Sequence, residues 1–241
     1  RRRGRARAVC GTFAVGVTLA LVARAPIAGR CKTRLIPALG AEGAARLYEA
    51  MLHDSLRALA SVGASRLVLL AAPEEGGVEV LRALAPAPWE VVPQSGGELG
   101  ARLQSAMLRL TVSGDAVVFV GSDSPALPAE ALASSLTFLA RPGKVVLGPC
   151  DDGGYYLIGL SSPVKALFQQ MPWSTSAVLE TTRNRCRALG LAVHELPSSY
   201  DVDDDLGLAR LVAEPRERAP RSYDVLRALG VRSAASVVAA G

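Results

Sequence analysis

Seven short apolar runs, most of them separated by helical patterns, constrain this 241-residue chain more than any other feature. The runs fall at residues 13–22, 66–71, 89–92, 115–120, 144–147, 155–160 and 192–196. Apolar residues recur every three or four positions at 41–60, 78–84, 98–110, 129–140, 176–189, 205–212 and 223–229. Strands of this length alternating with amphipathic helices predict βαβ units. Strands that are apolar at nearly every position are buried on both faces, as in a mostly parallel sheet covered by helices. The expected fold is therefore α/β, a three-layer α/β/α sandwich with right-handed crossovers. Half of the residues are hydrophobic but only 5% are aromatic, so the core must be built from Leu, Val and Ala. No internal repeat or long linker interrupts the pattern. The expected organisation is a disordered or artefactual start over 1–12 and a single domain over 13–241. The Pro- and charge-rich stretch 214–221 is the expected mobile loop.

Charge and cysteine content exclude several functions. The net charge is +5 with a pI of about 9.3, but Arg1, Arg2, Arg3, Arg5 and Arg7 account for all of the excess. No aromatic residues interleave with a basic surface, so no nucleic acid partner is expected. The four cysteines, Cys10, Cys31, Cys150 and Cys186, have neither zinc nor redox spacing. They read as reduced thiols of a cytoplasmic protein. The basic start followed by apolar residues 9–23 imitates a secretory signal, with a small-x-small site at Ala23-Arg24-Ala25. A buried first strand is the preferred reading, because the residues just downstream make chemical sense only if that strand stays. No other run is long enough to span a bilayer. His53 and His194 stand alone, which argues against a histidine triad or a zinc site.

In an open α/β sheet, ligands bind beyond the carboxyl ends of the strands. Four polar clusters occupy such places. The first runs from Arg24 to Leu35 and holds Arg24, Arg30, Lys32 and Arg34, with Pro26 and Gly29 shaping the loop. It could wrap phosphates, although it is not a Walker A loop, since Cys31 stands where that motif needs Gly. A solvated surface loop is the alternative. In the second, an apolar strand runs into Gly121-Ser122-Asp123-Ser124-Pro125. Asp123 could hold Mg²⁺ or Mn²⁺ against a diphosphate, or it could cap the following helix. No Gly-x-Ser-x-Gly elbow is present around Ser122. The third is Asp151-Asp152-Gly153-Gly154-Tyr155-Tyr156, a ligand loop or a hairpin turn. The fourth is Asp201-Val202-Asp203-Asp204-Asp205. Alternate carboxylates there would project to one side and could join Asp123 in a site of hard oxygen ligands. Acid at a helix start explains the same residues, and both readings can hold.

Taken together the clusters carry a resemblance. The matching segments are Ala-Arg-Ala-Pro-x-x-Gly-x-x-Lys-Thr-Arg-Leu at 23–35, Gln94 with Leu99-Gly100-x-Arg102, Gly121-Ser122-Asp123-Ser124-Pro125, Leu147-Gly148-Pro149 with Asp152-Gly153-Gly154-Tyr155-Tyr156-Leu157-Ile158-Gly159, Pro172-Trp173-Ser174-Thr175, and Asp201-Val202-Asp203 ahead of Asp205-Leu206. They span roughly residues 13–212. In this order they resemble a bacterial family long described as a domain of unknown function, with members associated with arsenosugar biosynthesis. That family is similar to the GT-A type nucleotide-diphospho-sugar transferase superfamily. It is also similar to guanylyltransferases of deazaflavin cofactor synthesis. The Gly-rich Leu-x-Gly-Gly opening of many sugar nucleotidyltransferases is missing here.

The resemblance implies a GT-A fold and a metal-dependent transferase with a nucleotide or nucleotide-sugar donor and a small-molecule acceptor. It implies Mg²⁺ or Mn²⁺ on Asp123, Asp201 and Asp203. Substrate contacts would come from Arg24, Lys32, Thr33, Arg34, Gln94, Arg102, Gly153, Gly154, Tyr155 and Trp173, with Trp173 alternatively a core residue. Lys32 and Asp152 are the candidate catalytic groups, Asp152 as acceptor-binding group or general base. Glycosyl transfer is the expected reaction, because the Asp-Asp-Gly-Gly-Tyr-Tyr segment sets the chain apart from the guanylyltransferases. Nucleotidyl transfer with release of pyrophosphate, and nucleotide binding without turnover, remain as alternatives.

Overall fold

The computed structural model describes residues 16–233. Its strands are β1 (Val17–Ala23), β2 (Arg66–Ala71), β3 (Glu90–Pro93), β4 (Ala116–Gly121), β5 (Lys144–Pro149), β6 (Tyr155–Leu160) and β7 (Ala192–Glu195). Its helices are α1 (Ile36–Ala60), α2 (Gly77–Leu84), α3 (Leu99–Leu110), α4 (Ala129–Leu139), α5 (Val178–Ala188), α6 (Asp205–Ala213) and α7 (Pro220–Ala228). All seven expected strands are present. Residues 1–12 and 13–15, the latter expected to begin the first strand, lie outside the described residues, as does Cys10.

The strands form one sheet in the order β3-β2-β1-β4-β6-β5-β7. Strand β6 is antiparallel to both neighbours, β4 and β5, and every other pairing is parallel. The sheet is covered on both faces, as its pattern requires. In β1, Leu19 and Leu21 face one cluster with Tyr48, Leu52 and Leu56 of α1 and Leu132 and Leu136 of α4. Ala20 faces the other, with Leu103 and Met107 of α3 and Leu179 of α5. Alternation with period two thus feeds two cores from a single strand. Each fully buried leucine contributes roughly 1.5–3 kcal/mol. A third cluster covers the far side of α1, where Leu47 and Met51 meet Leu208 and Leu211 of α6 and Leu226 of α7.

Two helix starts differ from the sequence reading by three residues or more. Helix α1 begins at Ile36 and is broken at Gly40, whose φ of 70° only glycine adopts freely. Helix α7 begins at Pro220, three residues before the expected start at 223 and inside the stretch read as a loop. Proline is at home there, because the first helical N–H lacks an intrahelical partner in any case. The N–H groups of Arg221 and Ser222 donate to the fully buried carboxylate of Asp54 at 3.1 and 2.9 Å. Cys31, Cys150 and Cys186 are buried and free. Among the described residues no helix is long and apolar enough to cross a membrane.

Candidate functional site at the switch point

The chain runs from β1 to β2 to β3 toward one edge, then β4 is laid down on the other side of β1. This reversal leaves a crevice beyond the carboxyl ends of β1 and β4, where ligands of doubly wound sheets bind. The register pairs Val22 with Gly121. The loop after β1 and the loop after β4 therefore face each other across the crevice.

Lys32 closes the first loop. Its φ of 48° and ψ of 43° are left-handed, a conformation that costs a non-glycine residue roughly 1–2 kcal/mol. The loop holds it with short turns, Arg30 N–H to Ile27 O at 3.0 Å and Leu35 N–H to Lys32 O at 2.9 Å. The side chain is only 3% exposed. Its ammonium donates to Asp203 Oδ1 at 2.7 Å and also to Asp123 Oδ1. Those carboxylates are 43% and 48% exposed for Asp123 and Asp203. Burial works against the charged lysine, but the Asp123 and Asp203 carboxylates outweigh it and hold the group above its usual range. Tyr48 of α1 forms the floor, its ring centroid 5.3 Å from the ammonium. The Tyr48 hydroxyl pairs with Ser122 Oγ at 2.8 Å and accepts the Arg24 N–H at 3.3 Å.

Asp203 reaches this point because the segment after β7 is tied across the sheet. Ser199 bridges to Cys150, and Val202 N–H donates to Asp123 O at 2.8 Å. The helix that follows is capped by Asp204, whose carboxylate accepts the Gly207 N–H at 2.9 Å. Asp205 opens the first turn of α6, and Asp203 is left to the crevice. Helix α4 has no side-chain cap, so Asp123 serves the lysine and not a helix. Asp201 is deeper. It accepts from Ser124 Oγ at 2.7 Å, and burial raises its carboxyl above the usual range, with Asp123 and Asp203 adding repulsion. The Cys150 thiol is also pushed up, first by burial and then by the Asp201 charge, and stays protonated. Ligand atoms of Cys150, Asp152 and Asp201 lie within 4.8 Å of one another.

The aspartate pair of the third cluster divides. Asp151 accepts from Ser198 Oγ at 2.7 Å and Arg210 at 2.6 Å, tying the β5–β6 hairpin to α6. Asp152 faces the crevice, with one oxygen accepting the Gly154 N–H at 2.7 Å. The hairpin reading and the ligand-loop reading therefore coincide. Gly153 has a φ of 87°, and a Cβ there would meet the Ser176 carbonyl oxygen at 2.3 Å. The missing side chain lets the hairpin pack against the loop 174–177.

Two adjoining clefts share Val22, Asp123 and Asp203. The smaller, about 310 Å³, is lined by Arg24, Lys32, Tyr48, Arg102 and Ser122. Arg102 is half-buried, and burial and the nearby Arg24 lower its proton affinity. Its Nε has no hydrogen-bond partner among the described residues. The larger, about 620 Å³, is lined by Arg34, Asp152, Gly154, Tyr155, Trp173 and Asp201, with a wall of Leu99, Leu103, Phe119 and Ile158. Trp173 packs edge-on to Tyr155 at 6.3 Å and over α3 at Gly100, where a Cβ would lie 2.7 Å from its ring nitrogen. It is both a packed residue and a wall of the cleft.

Thr33 and Gln94 line neither cleft. Thr33 is exposed, and buried Gln94 donates through Nε2 to Leu70 O at 3.0 Å. Sequence reasoning missed Tyr48 and Cys150 as parts of the site. Nothing distinguishes Tyr48 in sequence from any other core position of an amphipathic helix. For Cys150 the available signal was its place directly before the Asp151–Asp152 pair.

As for chemistry, the donor set suits a hard divalent cation. The oxygens of Asp123 and Asp203 converge on a single positive charge, that of Lys32.

The reversed-order, mostly parallel sheet between two helical layers, with acidic and basic groups meeting at its switch point, defines the fold of the nucleotide-diphospho-sugar transferases. Residues 55–175 match the model of a family described as an uncharacterized protein conserved in bacteria (DUF2064), and the chain belongs to that family. The chain is similar to a crystal structure from Desulfovibrio desulfuricans described as a candidate nucleotide-diphospho-sugar transferase. That match has a TM-score of 0.83 and 30% identity, and covers 94% of this chain and 98% of that one. Two further likenesses show the fold alone. Rv0371c of Mycobacterium tuberculosis, in a complex with manganese, is 18% identical with a TM-score of 0.53, over 83% of this chain and 99% of that one. A cytidylyltransferase from Leptospira borgpetersenii is 15% identical with a TM-score of 0.53, over 90% of this chain and 93% of that one. No curated protein matches the chain.

Proposed function

We propose that this chain is a metal-dependent transferase that moves a glycosyl group from a nucleotide-diphospho-sugar to a small hydroxylated acceptor. The observation that carries the reading is the meeting of Lys32, Asp123 and Asp203 between a cation-lined cleft and a larger cleft edged by carboxylates. The name of the 30% identical Desulfovibrio protein supports it.

Arg24, Lys32 and Arg102 would hold the donor phosphates, and Arg34 would approach them from the larger cleft. Asp123 and Asp203 would hold Mg²⁺ or Mn²⁺, with Asp201 adding charge from behind. The manganese complex of the fold relative is in keeping with that choice. A bound ion there would neutralise charge on the departing diphosphate. The acceptor would lie against Trp173 and the apolar wall. Asp152 would take the acceptor's hydroxyl proton as the oxygen bonds to the anomeric carbon. The bond from that carbon to the diphosphate breaks, and nucleoside diphosphate leaves. Free thiols at Cys31, Cys150 and Cys186 accord with work in the cytoplasm.

A second reading has one observation in its favour. Three cations around the smaller cleft also suit a nucleoside triphosphate, whose α-phosphorus the acceptor would attack with release of pyrophosphate. Incubating the protein and Mn²⁺ with panels of nucleotide-sugars and triphosphates separates the two by product. Nucleoside diphosphate from a nucleotide-sugar supports glycosyl transfer, and pyrophosphate supports the second reading. Binding of neither donor class, with or without metal, sinks both.

A further inference from the structure

We infer that Lys32 is an exchangeable internal counter-ion that occupies the cation position between Asp123 and Asp203, so that metal loading requires its ammonium to leave. The inference rests on the reading of Asp123 and Asp203 as metal ligands and concerns the order in which the site fills.

One nitrogen donates to both carboxylates, to Asp203 at 2.7 Å and to Asp123. The lysine approaches from the interior, over the Tyr48 ring and with 3% of its side chain exposed. The carboxylates are nearly half exposed toward the clefts. A metal therefore arrives from the open side and meets two carboxylates, half of whose charge the ammonium already offsets. An ammonium and a divalent ion cannot share one position, because like charges at contact distance repel strongly in a partly buried site. The lysine has somewhere to go. It already lines the smaller cleft with Arg24 and Arg102, which the proposed function assigns to the donor phosphates. A phosphate there rewards its departure, and the departure frees both carboxylates. Phosphate and metal thus favour each other through the position of a single side chain, and the linkage is reciprocal. Lys32 has a left-handed backbone and its side chain ends at this junction, and the exchange asks for a change of its rotamer.

Mn²⁺ binding measured calorimetrically, without nucleotide, tests the exchange in the wild type and Lys32→Met, with a double variant as control. Lys32→Met keeps most of the length of the unbranched side chain and removes the charge. It is expected to bind Mn²⁺ about tenfold or more tightly than the wild type, a coupling within the usual range for linked sites. Asp203→Asn added to Lys32→Met should abolish the gain. A second measurement needs no variant. Acetylation of wild-type lysines, mapped by mass spectrometry, should leave Lys32 protected in EDTA and expose it in saturating Mn²⁺. Equal or weaker Mn²⁺ binding by a folded Lys32→Met, or a Lys32 that stays protected with Mn²⁺ bound, overturns the exchange while the metal reading stands. Failure of both proteins to bind Mn²⁺, with or without a nucleoside diphosphate, overturns the metal reading and the exchange with it.

Discussion

Helix α1 touches two carboxylate centres. Through Asp54 it holds the start of α7, and through Tyr48 it floors the Asp123–Asp203 pair. Asp54 is fully buried, and its oxygens accept from Arg221 N–H, Ser222 N–H and Ser222 Oγ at 3.1, 2.9 and 2.8 Å. All three donors are uncharged groups fixed in the first turn of α7, which Asp54 caps. The Asp123–Asp203 pair is half exposed, and a buried lysine side chain supplies its cation. A carboxylate saturated by fixed dipoles can only stabilise. One paired with a side-chain ammonium and open to solvent is what the proposed exchange requires. Burial with complete hydrogen bonding fits Asp54 to a structural role, and partial exposure beside a single charged partner fits Asp123 and Asp203 to the proposed one.

Substitutions can break this contrast. The largest effect is expected from Asp123→Asn, which should lower turnover on a matched donor roughly a thousandfold, about 4 kcal/mol of transition-state stabilisation. Its melting temperature should stay close to that of the wild type. A large fall in the calorimetric melt would make the pair structural and erase the distinction. Asp54→Ala should do the reverse. Three hydrogen bonds to a buried charge are lost, at a cost of about 3 kcal/mol. Faster hydrogen exchange along α7 should accompany the loss, while activity per folded molecule holds. Lost activity in a variant that melts normally would move Asp54 out of the structural class.

Smaller changes sharpen the picture. Gly153→Ala places a Cβ against the Ser176 carbonyl at a positive φ, and about 2 kcal/mol of destabilisation is expected. Acceptor KM should rise more than donor KM, because the 174–177 loop edges only the larger cleft. A rise confined to donor KM would reverse the assignment of the clefts. The smallest effect concerns Asp151, held below the usual carboxylate range first by the Ser198 hydroxyl and then by Arg210. A depressed carboxyl stabilises fully above about pH 4 and loses that contribution as pH falls through its lowered value. Arg210→Ala should therefore cost under about 1 kcal/mol at pH 7 and less still under acid, since the pair is exposed. A denaturant midpoint with the same loss at pH 7 and pH 2 would assign the effect to the stacking of Arg210 on Tyr200 at 3.9 Å.

Much of the fold was legible in the chain. Apolar runs at period two or in unbroken blocks, and helices at three-to-four spacing, marked all seven strands and the helices between them. The local signals failed where a tertiary partner decides. Helix α7 starts early because Asp54, distant in sequence, supplies the acceptors that a loop reading could not foresee. The reversed β6 was visible only as an Asp-Gly turn, a signal that says hairpin without saying which strand lies next door. Asp123 and Asp203 were identifiable as acids following strands. That Asp204, between Asp203 and Asp205, caps α6 emerges only from the helix geometry.

The amino-acid order by itself determined which segments are strands and helices, and which polar residues stand at strand ends, because both follow from local periodicity and the placement of Gly, Pro and Asp. Tertiary structure decided the strand order, and with it the meeting of Lys32 with acids 91 and 171 positions away. It also split Asp151 from Asp152 and set Tyr48 beneath the lysine. The physical reason is that periodicity reports how a segment wants to be buried, whereas the partner of a charge depends on which surfaces pack together once every segment is buried at the same time.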